Sequence, residues 1–313
     1  MKKVLSIIAA AFLAMVSLSA QDMESATALY NEGATALNAG DKATALKCFE
    51  DALAQAEIIG VEAEELAYNC KRNIPTLINA IGKEQASNNQ IDEAIETLKK
   101  GLEKANEYDQ ADLAEEANTL IPQLYMQKGN LLLNQKKFAE AAAAYKEVIN
   151  INPNDATGYF RYGQACARID DMENAVAALT KAAELGQANA ANKELSNLYL
   201  TTAADALKAK QYEKAIENAE KAYAIVQNPT ALNVIGTAAI ALKDYQKAIE
   251  NFEGYAAAAP TARNIDQVKY QLATAYEATG DKANACVNYK AILNNPQFSE
   301  YAKHKVDVEL KCN

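Results

Sequence analysis

The sequence predicts an all-α solenoid built from antiparallel helix pairs, and three observations carry that prediction. Apolar residues recur at helical spacing, as in Tyr159, Tyr162, Gly163 and Cys166, and no stretch alternates with the period of two that a half-buried strand needs. A glycine stands twelve residues before an alanine at Gly33 and Ala45, Gly82 and Ala94, Gly129 and Ala141, Gly163 and Ala175, and Gly236 and Ala248. Ala203 before Ala215 and Ala273 before Ala285 fill the same slots. Finally, a turn residue and an acid precede an amphipathic run in Gly40-Asp41-Lys42-Ala43, Lys243-Asp244-Tyr245 and Gly280-Asp281-Lys282-Ala283. Two antiparallel helices approach closely only where small residues face each other, so the paired slots mark a helical hairpin that repeats along the chain.

The N-terminus is distinct from the repeats. Lys2 and Lys3 form a positive start, Val4 to Val16 is apolar apart from Ser6, and Ser17-Leu18-Ser19-Ala20 ends on a small residue. This is the pattern of a cleaved secretory signal peptide over residues 1–20. An uncleaved anchor is the rival reading, but the apolar stretch falls short of the roughly 18–20 residues of a membrane span. The first cysteine, Cys48, lies too far away for a lipid-anchored start. The mature chain, residues 21–313, is therefore expected to be exported to the periplasm or cell envelope, or secreted, with no stable membrane anchor after cleavage.

Hairpins are expected to begin near Ala26, Pro75, Pro122, Ala156, Ser196, Pro229 and Asp266, at intervals of 49, 47, 34, 40, 33 and 37 residues. The surplus in the first two intervals is rich in Ala, Glu and Leu over Val61 to Lys71 and Ala111 to Thr119, and ends at Ile74-Pro75 and Ile121-Pro122. Each surplus reads as an N-terminal extension of the following helix, bent where proline removes a hydrogen bond. The alternative is a separate short helix ending before each proline. The final segment, residues 298–311, places Phe298, Tyr301, Ala302, Val306 and Leu310 at helical spacing and reads as a closing helix over the last apolar face.

The hairpins resemble the tetratricopeptide repeat, whose motif of about 34 residues runs Trp, Leu-Gly, Tyr, Ala, Phe and Pro. The third unit carries Tyr125, Gly129, Leu132, Ala141, Tyr145 and Pro153, and the sixth Leu232, Ile235-Gly236, Ala239, Ala248, Phe252 and Pro260. The tryptophan is missing throughout, and the closing proline is poorly kept. The resemblance implies a right-handed superhelical solenoid whose inner wall binds peptide segments or protein surfaces. It also implies a groove lined by first-helix residues: Gln123, Met126, Asn130 and Leu133, then Thr157, Phe160, Gln164 and Arg168, then Asn197 and Leu200, and finally Asn233 and Thr237. A familiar version of this groove holds a C-terminal carboxylate with paired Lys and Asn. Asn130 and Arg161 match fragments of it, but Met126 and Thr157 stand where Lys is needed, so that ligand is not expected.

Composition removes most other classes. Lys and Arg number 31 against 41 Asp and Glu, a net charge of -10, which argues against nucleic acid, whose binders need a basic patch. The single histidine, His304, leaves no His-based metal site or nucleophile–base set, and no Gly-rich phosphate loop or G-x-S-x-G elbow occurs. The expectation is a non-catalytic protein- or peptide-binding scaffold with no cofactor and no metal. A periplasmic small-molecule or glycan carrier is the alternative, disfavoured for sugars by the absence of Trp. Residues 21–120 carry 20 acidic and 8 basic side chains, whereas residues 121–313 carry 21 of each. That region reads either as a solubilising face or as a dock for a basic partner.

Export permits disulfides. Cys166 and Cys286 occupy slots that favour buried free thiols, and Cys312 lies in the tail. Cys48 and Cys70 sit at heights that differ by only about 3 Å on consecutive helices turning near Gly60. That spacing allows either a Cys48–Cys70 bridge or two buried thiols.

Overall fold

The structure, a computed structural model, describes residues 22–312, so the signal-peptide expectation lies outside the described residues. Two compact units divide the chain between Gly158 and Tyr159. In the first, α1 (residues 22–38) is followed by α2 (Lys42–Ile59), α3 (Glu64–Ser87), α4 (Ile91–Glu107), α5 (Ala111–Asn134) and α6 (Phe138–Ile151). Helix α7 (Ala156–Arg168) starts at the end of that unit and runs into the second. Then come α8 (Met172–Ala182), α9 (Ala188–Lys208), α10 (Tyr212–Ile225), α11 (Pro229–Leu242), α12 (Tyr245–Ala258), α13 (Ile265–Thr279), α14 (Lys282–Ala291) and α15 (Ser299–His304). Within each unit a helix packs on the next one, and α3 with α5, α9 with α11 and α11 with α13 also touch. The fold class is the expected all-α solenoid of helix pairs. No strand occurs among the described residues, and none of their helices is long and apolar enough to cross a membrane.

The small-residue slots are buried as the repeat requires. Ala45, Ala94, Ala141, Ala175, Ala215, Ala248 and Ala285 are all fully buried. The glycines do something more specific than admit the facing alanine. Each makes room for the large side chain four residues beyond that alanine: an added Cβ would stand 3.0 Å from Phe49 at Gly33, 2.7 Å from Leu98 at Gly82, 2.4 Å from Tyr145 at Gly129, 2.7 Å from Leu179 at Gly163 and 2.6 Å from Phe252 at Gly236. Where alanine replaces glycine at Ala203, the residue four beyond the second slot is Ala219, also fully buried. In these six hairpins volume lost on one helix is matched by volume gained on the other, as close packing demands; the last hairpin departs from this, since Ala273 faces a slot followed four residues on by the fully buried Tyr289.

The turns explain the recurrent acid. One or two residues past the end of each first helix the chain adopts a left-handed conformation, at Gly40, Asn89, Lys136, Asp170, Lys210, Lys243 and Gly280. The next amide then donates back into the helix just ended, as from Asp41 to the Ala36 carbonyl at 2.9 Å. The same acid caps the second helix: Asp41, Asp171, Asp244 and Asp281 accept from the amides of Thr44, Asn174, Lys247 and Asn284.

The two surpluses are helical and run unbroken into the helices they precede. Glu64–Ser87 and Ala111–Asn134 are single helices of 24 residues with Pro75 and Pro122 inside them, the first entered through a 3₁₀ turn at Val61–Ala63. The extension of α5 is stitched to α3. Arg72 holds Asp112 at 2.8 Å, Asn79 donates to Glu116 and to the Leu113 carbonyl at 3.1 Å each, and Lys83 pairs with Glu116. Helix α9 begins eight residues before the expected Ser196, because a π turn over Ala183–Gln187, with Gly186 at φ 107°, reverses the chain early.

The closing segment is α15, prolonged by a π turn at Lys305–Glu309. Phe298, Ala302 and Val306 are buried against α13 and α14, and Phe298 stacks on Tyr270 at 5.2 Å. Lys305 is buried as well. Burial alone would lower its pKa, but bonds to Glu277 at 2.7 Å and Glu309 at 2.6 Å hold the ammonium above its ordinary range.

The cysteines pair differently from the bridge that the spacing allowed. Cys48 and Cys70 are free and buried, as is Cys166, while Cys286 on α14 is bonded to Cys312 across a Cα separation of 5.7 Å. Equal height on neighbouring helices does not make two side chains face each other. The Cβ of Cys48 packs 3.1 Å from the position a Gly33 Cβ would take on α1, whereas Cys70 packs into the apolar cluster with Ala56, Leu66 and Ile74. The buried free thiol expected at Cys286 is likewise corrected, because the closing segment folds the tail back onto α14.

Candidate partner-binding site

The residues expected to line a groove fall on the first helices of their hairpins, and the structure treats them unequally. In the first unit, Gln123, Met126, Asn130 and Leu133 lie on α5, and Thr157 is exposed near the start of α7. Asn130 is exposed but committed to its own hairpin, since its Oδ1 accepts from the Tyr145 hydroxyl at 2.7 Å. Leu133 is half-buried. In the second unit, Phe160 and Gln164 on α7 are half-buried and Arg168 is exposed. Gln164 accepts from Arg161 at 3.1 Å. Asn197 on α9 is exposed, and Leu200 packs on the cluster holding Ala203, Ala219 and Val234. On α11 the Thr237 hydroxyl is satisfied by the Asn233 carbonyl at 2.8 Å.

Gln123 and Met126 are the two that enter a cavity together. It has a volume of about 760 Å³ and lies between α5 around Pro122 and the chain that leaves α6. Asn118, Thr119 and Pro122 of α5 form one wall, and Ile151, Asn152 and Asp155 the other. Helix α5 supplies its side because residues 119, 122, 123 and 126 share one face at i, i+3, i+4 and i+7. The second wall exists because α6 ends at Ile151 and the chain turns through Asn152 and Asp155 before α7. Asp155 caps α7 by accepting from the Gly158 amide at 2.8 Å, and Asn152 accepts from the Asn154 amide at 3.2 Å. These bonds hold the loop side in place.

Two further depressions continue the cavity along α5 towards α3. One of about 400 Å³ involves Lys83, Asp112, Glu115 and Glu116 and shares Thr119 with the cavity. The other, about 290 Å³, lies over Leu98, Leu120 and Gln127 and shares Gln123. Together they form one trough on the first unit, with amides and apolar groups at one end and carboxylates at the other. The Lys83 ammonium beside Glu116 and the Arg72 guanidinium beside Asp112 hold both carboxyls below their usual range. Glu115 is exposed and has no ion pair among the described residues. No group of three or more His, Cys, Asp or Glu side chains among the described residues is placed to hold a metal ion.

Sequence reasoning missed Asn118, Pro122, Ile151, Asn152 and Asp155 as site residues. The signal that could have found them was the Ile121-Pro122 break together with the polar stretch from Asn150 to Asp155.

No curated protein matches the sequence. Among solved structures, MamA is 21% identical, with 60% of this chain and 95% of that one covered at a TM-score of 0.37. YrrB, described as a TPR protein with an unusual peptide-binding site, is 17% identical, with 57% and 90% covered at a TM-score of 0.37. A tetratricopeptide repeat protein from Parabacteroides merdae is 13% identical, with 94% and 100% covered at a TM-score of 0.29. Sequence models described as "Tetratricopeptide repeat" match residues 126–191 and 200–263, and a second model of that description matches 267–297. These matches together span just over half of the chain, which belongs to the tetratricopeptide-repeat family.

Proposed function

We propose that the chain is a non-catalytic scaffold of the cell envelope that binds a protein or peptide along the α5 trough. Tetratricopeptide-repeat proteins generally act as protein-binding scaffolds. The observation that carries the reading for this chain is the trough itself. Exposed amides at Asn118, Gln123 and Gln127 stand beside the half-buried Pro122 and Met126 on one helix. Amides can bond the backbone of an extended segment while the apolar groups receive its side chains. The Cys286–Cys312 bond supports export, because disulfides persist in oxidising compartments.

The test is cross-linking of the exported chain in its native cells, comparing the wild type with Gln123→Ala and Met126→Lys. A partner captured by the wild type and lost from both variants, with melting temperature unchanged, is the expected result. A partner set indifferent to both substitutions would move the binding face elsewhere.

A further inference from the structure

We propose that the pocket at Pro122 receives a lysine or arginine side chain from an extended segment of the partner. This rests on the scaffold reading and adds the chemistry of what is bound.

Proline has no amide hydrogen, so the Asn118 carbonyl, four residues earlier, is deprived of its helical donor. Asn118 and Pro122 both line the 760 Å³ pocket. The equivalent proline in α3 differs, because Pro75 is fully buried. Across the pocket, Asp155 uses one carboxylate oxygen to cap α7, leaving the other for a donor. Pro122, Met126 and Ile151 supply apolar surface, Ile151 being 37% exposed, and no cationic side chain lines the cavity. Acceptors over an apolar floor suit a group with a methylene stem and a donor-rich cationic head, which describes lysine and arginine. A carboxylate would meet the Asp155 charge with no cationic side chain in the lining to offset it. The wider field agrees, since residues 21–120 carry 20 acidic and 8 basic side chains, and the trough leads from the pocket to the exposed Glu115.

The experiment uses the purified full chain on an array of ten-residue peptides of randomised sequence, in lysine/arginine-rich, neutral and aspartate/glutamate-rich sets. The chain is compared with Asp155→Asn, which removes the charge but keeps a competent helix cap, and with Met126→Lys, which places a cation in the pocket. Binding should favour basic peptides by about tenfold, the worth of one partly desolvated charge pair. It should weaken as salt rises from roughly 0.05 to 0.5 M, lose most of its basic preference in Asp155→Asn, and vanish in Met126→Lys. If Asp155→Asn lowers the melting temperature, Glu115→Gln serves as the second charge variant.

Equal binding of neutral and basic peptides overturns the proposal and leaves the scaffold reading standing. So does an array with no binder when the cross-linked partner is still lost from Met126→Lys, because the trough then takes a folded surface. An empty array together with no cross-linked partner sinks both.

Discussion

Tyr145 lies over Gly129 so closely that an added Cβ would stand 2.4 Å from its ring, and Tyr145 is itself fully buried. Gly129→Ala should therefore lower the unfolding free energy by about 1–3 kcal/mol, the ordinary cost of overpacking. The double variant with Tyr145→Ala should lose less than the sum of the two singles, since two residues in direct contact are not additive. Denaturant titration of the two singles and the double checks both statements, and strict additivity would mean the two do not touch. Burial also acts on Cys70, pushing its thiol up to about 11 from an ordinary 9.0. The folded state holds that proton more tightly than the unfolded state. Its contribution is therefore intact below about pH 9 and lost as pH climbs towards 11. Native Cys70 should resist alkylation at mildly alkaline pH until the chain unfolds, and Cys70→Ala should flatten the fall in stability across that window. The small slots were legible in the sequence because they recur at a fixed spacing. The match between Gly129 and Tyr145 was not, because it depends on which way a side chain four residues along the partner helix points. Of the two readings that spacing left open for Cys48 and Cys70 the buried thiols hold, because spacing gives height along a helix but not direction around it; the Cys286–Cys312 bond was missed because it depends on the tail folding back onto α14.

Among the elements, the two long helices make contrasting use of the same Ile-Pro pair. Pro75 is fully buried in α3, so Pro75→Ala would leave a gap as well as restore a hydrogen bond. Pro122 is only half-buried and lines the trough, so Pro122→Ala restores the bond to the Asn118 carbonyl at little packing cost. An internal proline costs up to about 3 kcal/mol relative to alanine. Pro122→Ala should accordingly raise the melting temperature more than Pro75→Ala does, and it should weaken binding in the trough by occupying the carbonyl. A melt raised with binding unchanged would show that the Asn118 carbonyl does not contact the partner. The extensions were legible because their composition is helical and nothing breaks it before the proline. The start of α9 was not, since Ala-Glu-Leu-Gly-Gln-Ala around Gly186 keeps helical composition on both sides of the reversal. The site divides the same way. Gln123 and Met126 follow from first-helix spacing, but Asn118 matters only through a missing hydrogen bond, and Ile151 and Asp155 arrive from a connection between helices that periodicity does not describe.

For the whole molecule, a stack of hairpins couples each repeat chiefly to its neighbours, so stability is closer to a sum of local terms than to one cooperative block. The ends of such a stack are its weak points, and here the C-terminal end is fastened in three ways. Phe298, Ala302 and Val306 are buried on α13 and α14, Lys305 bridges Glu277 and Glu309, and Cys312 is bonded to Cys286. The disulfide joins positions 26 residues apart, a loop whose closure in the unfolded chain corresponds to about 3 kcal/mol on the entropy model. Cys312→Ser should remove most of that from the second unit while Lys305 and Phe298 still hold the segment in place. Hydrogen exchange resolves where the loss falls, because local opening reports local stability. Protection should drop first in α15 and α14, then in α13, and amides of α3 to α5 in the first unit should exchange as in the wild type. Adding a reductant to the wild type should reproduce the pattern, and adding it to Cys312→Ser should change nothing further. Protection lost evenly from α3 to α15 would show instead that the two units unfold as one.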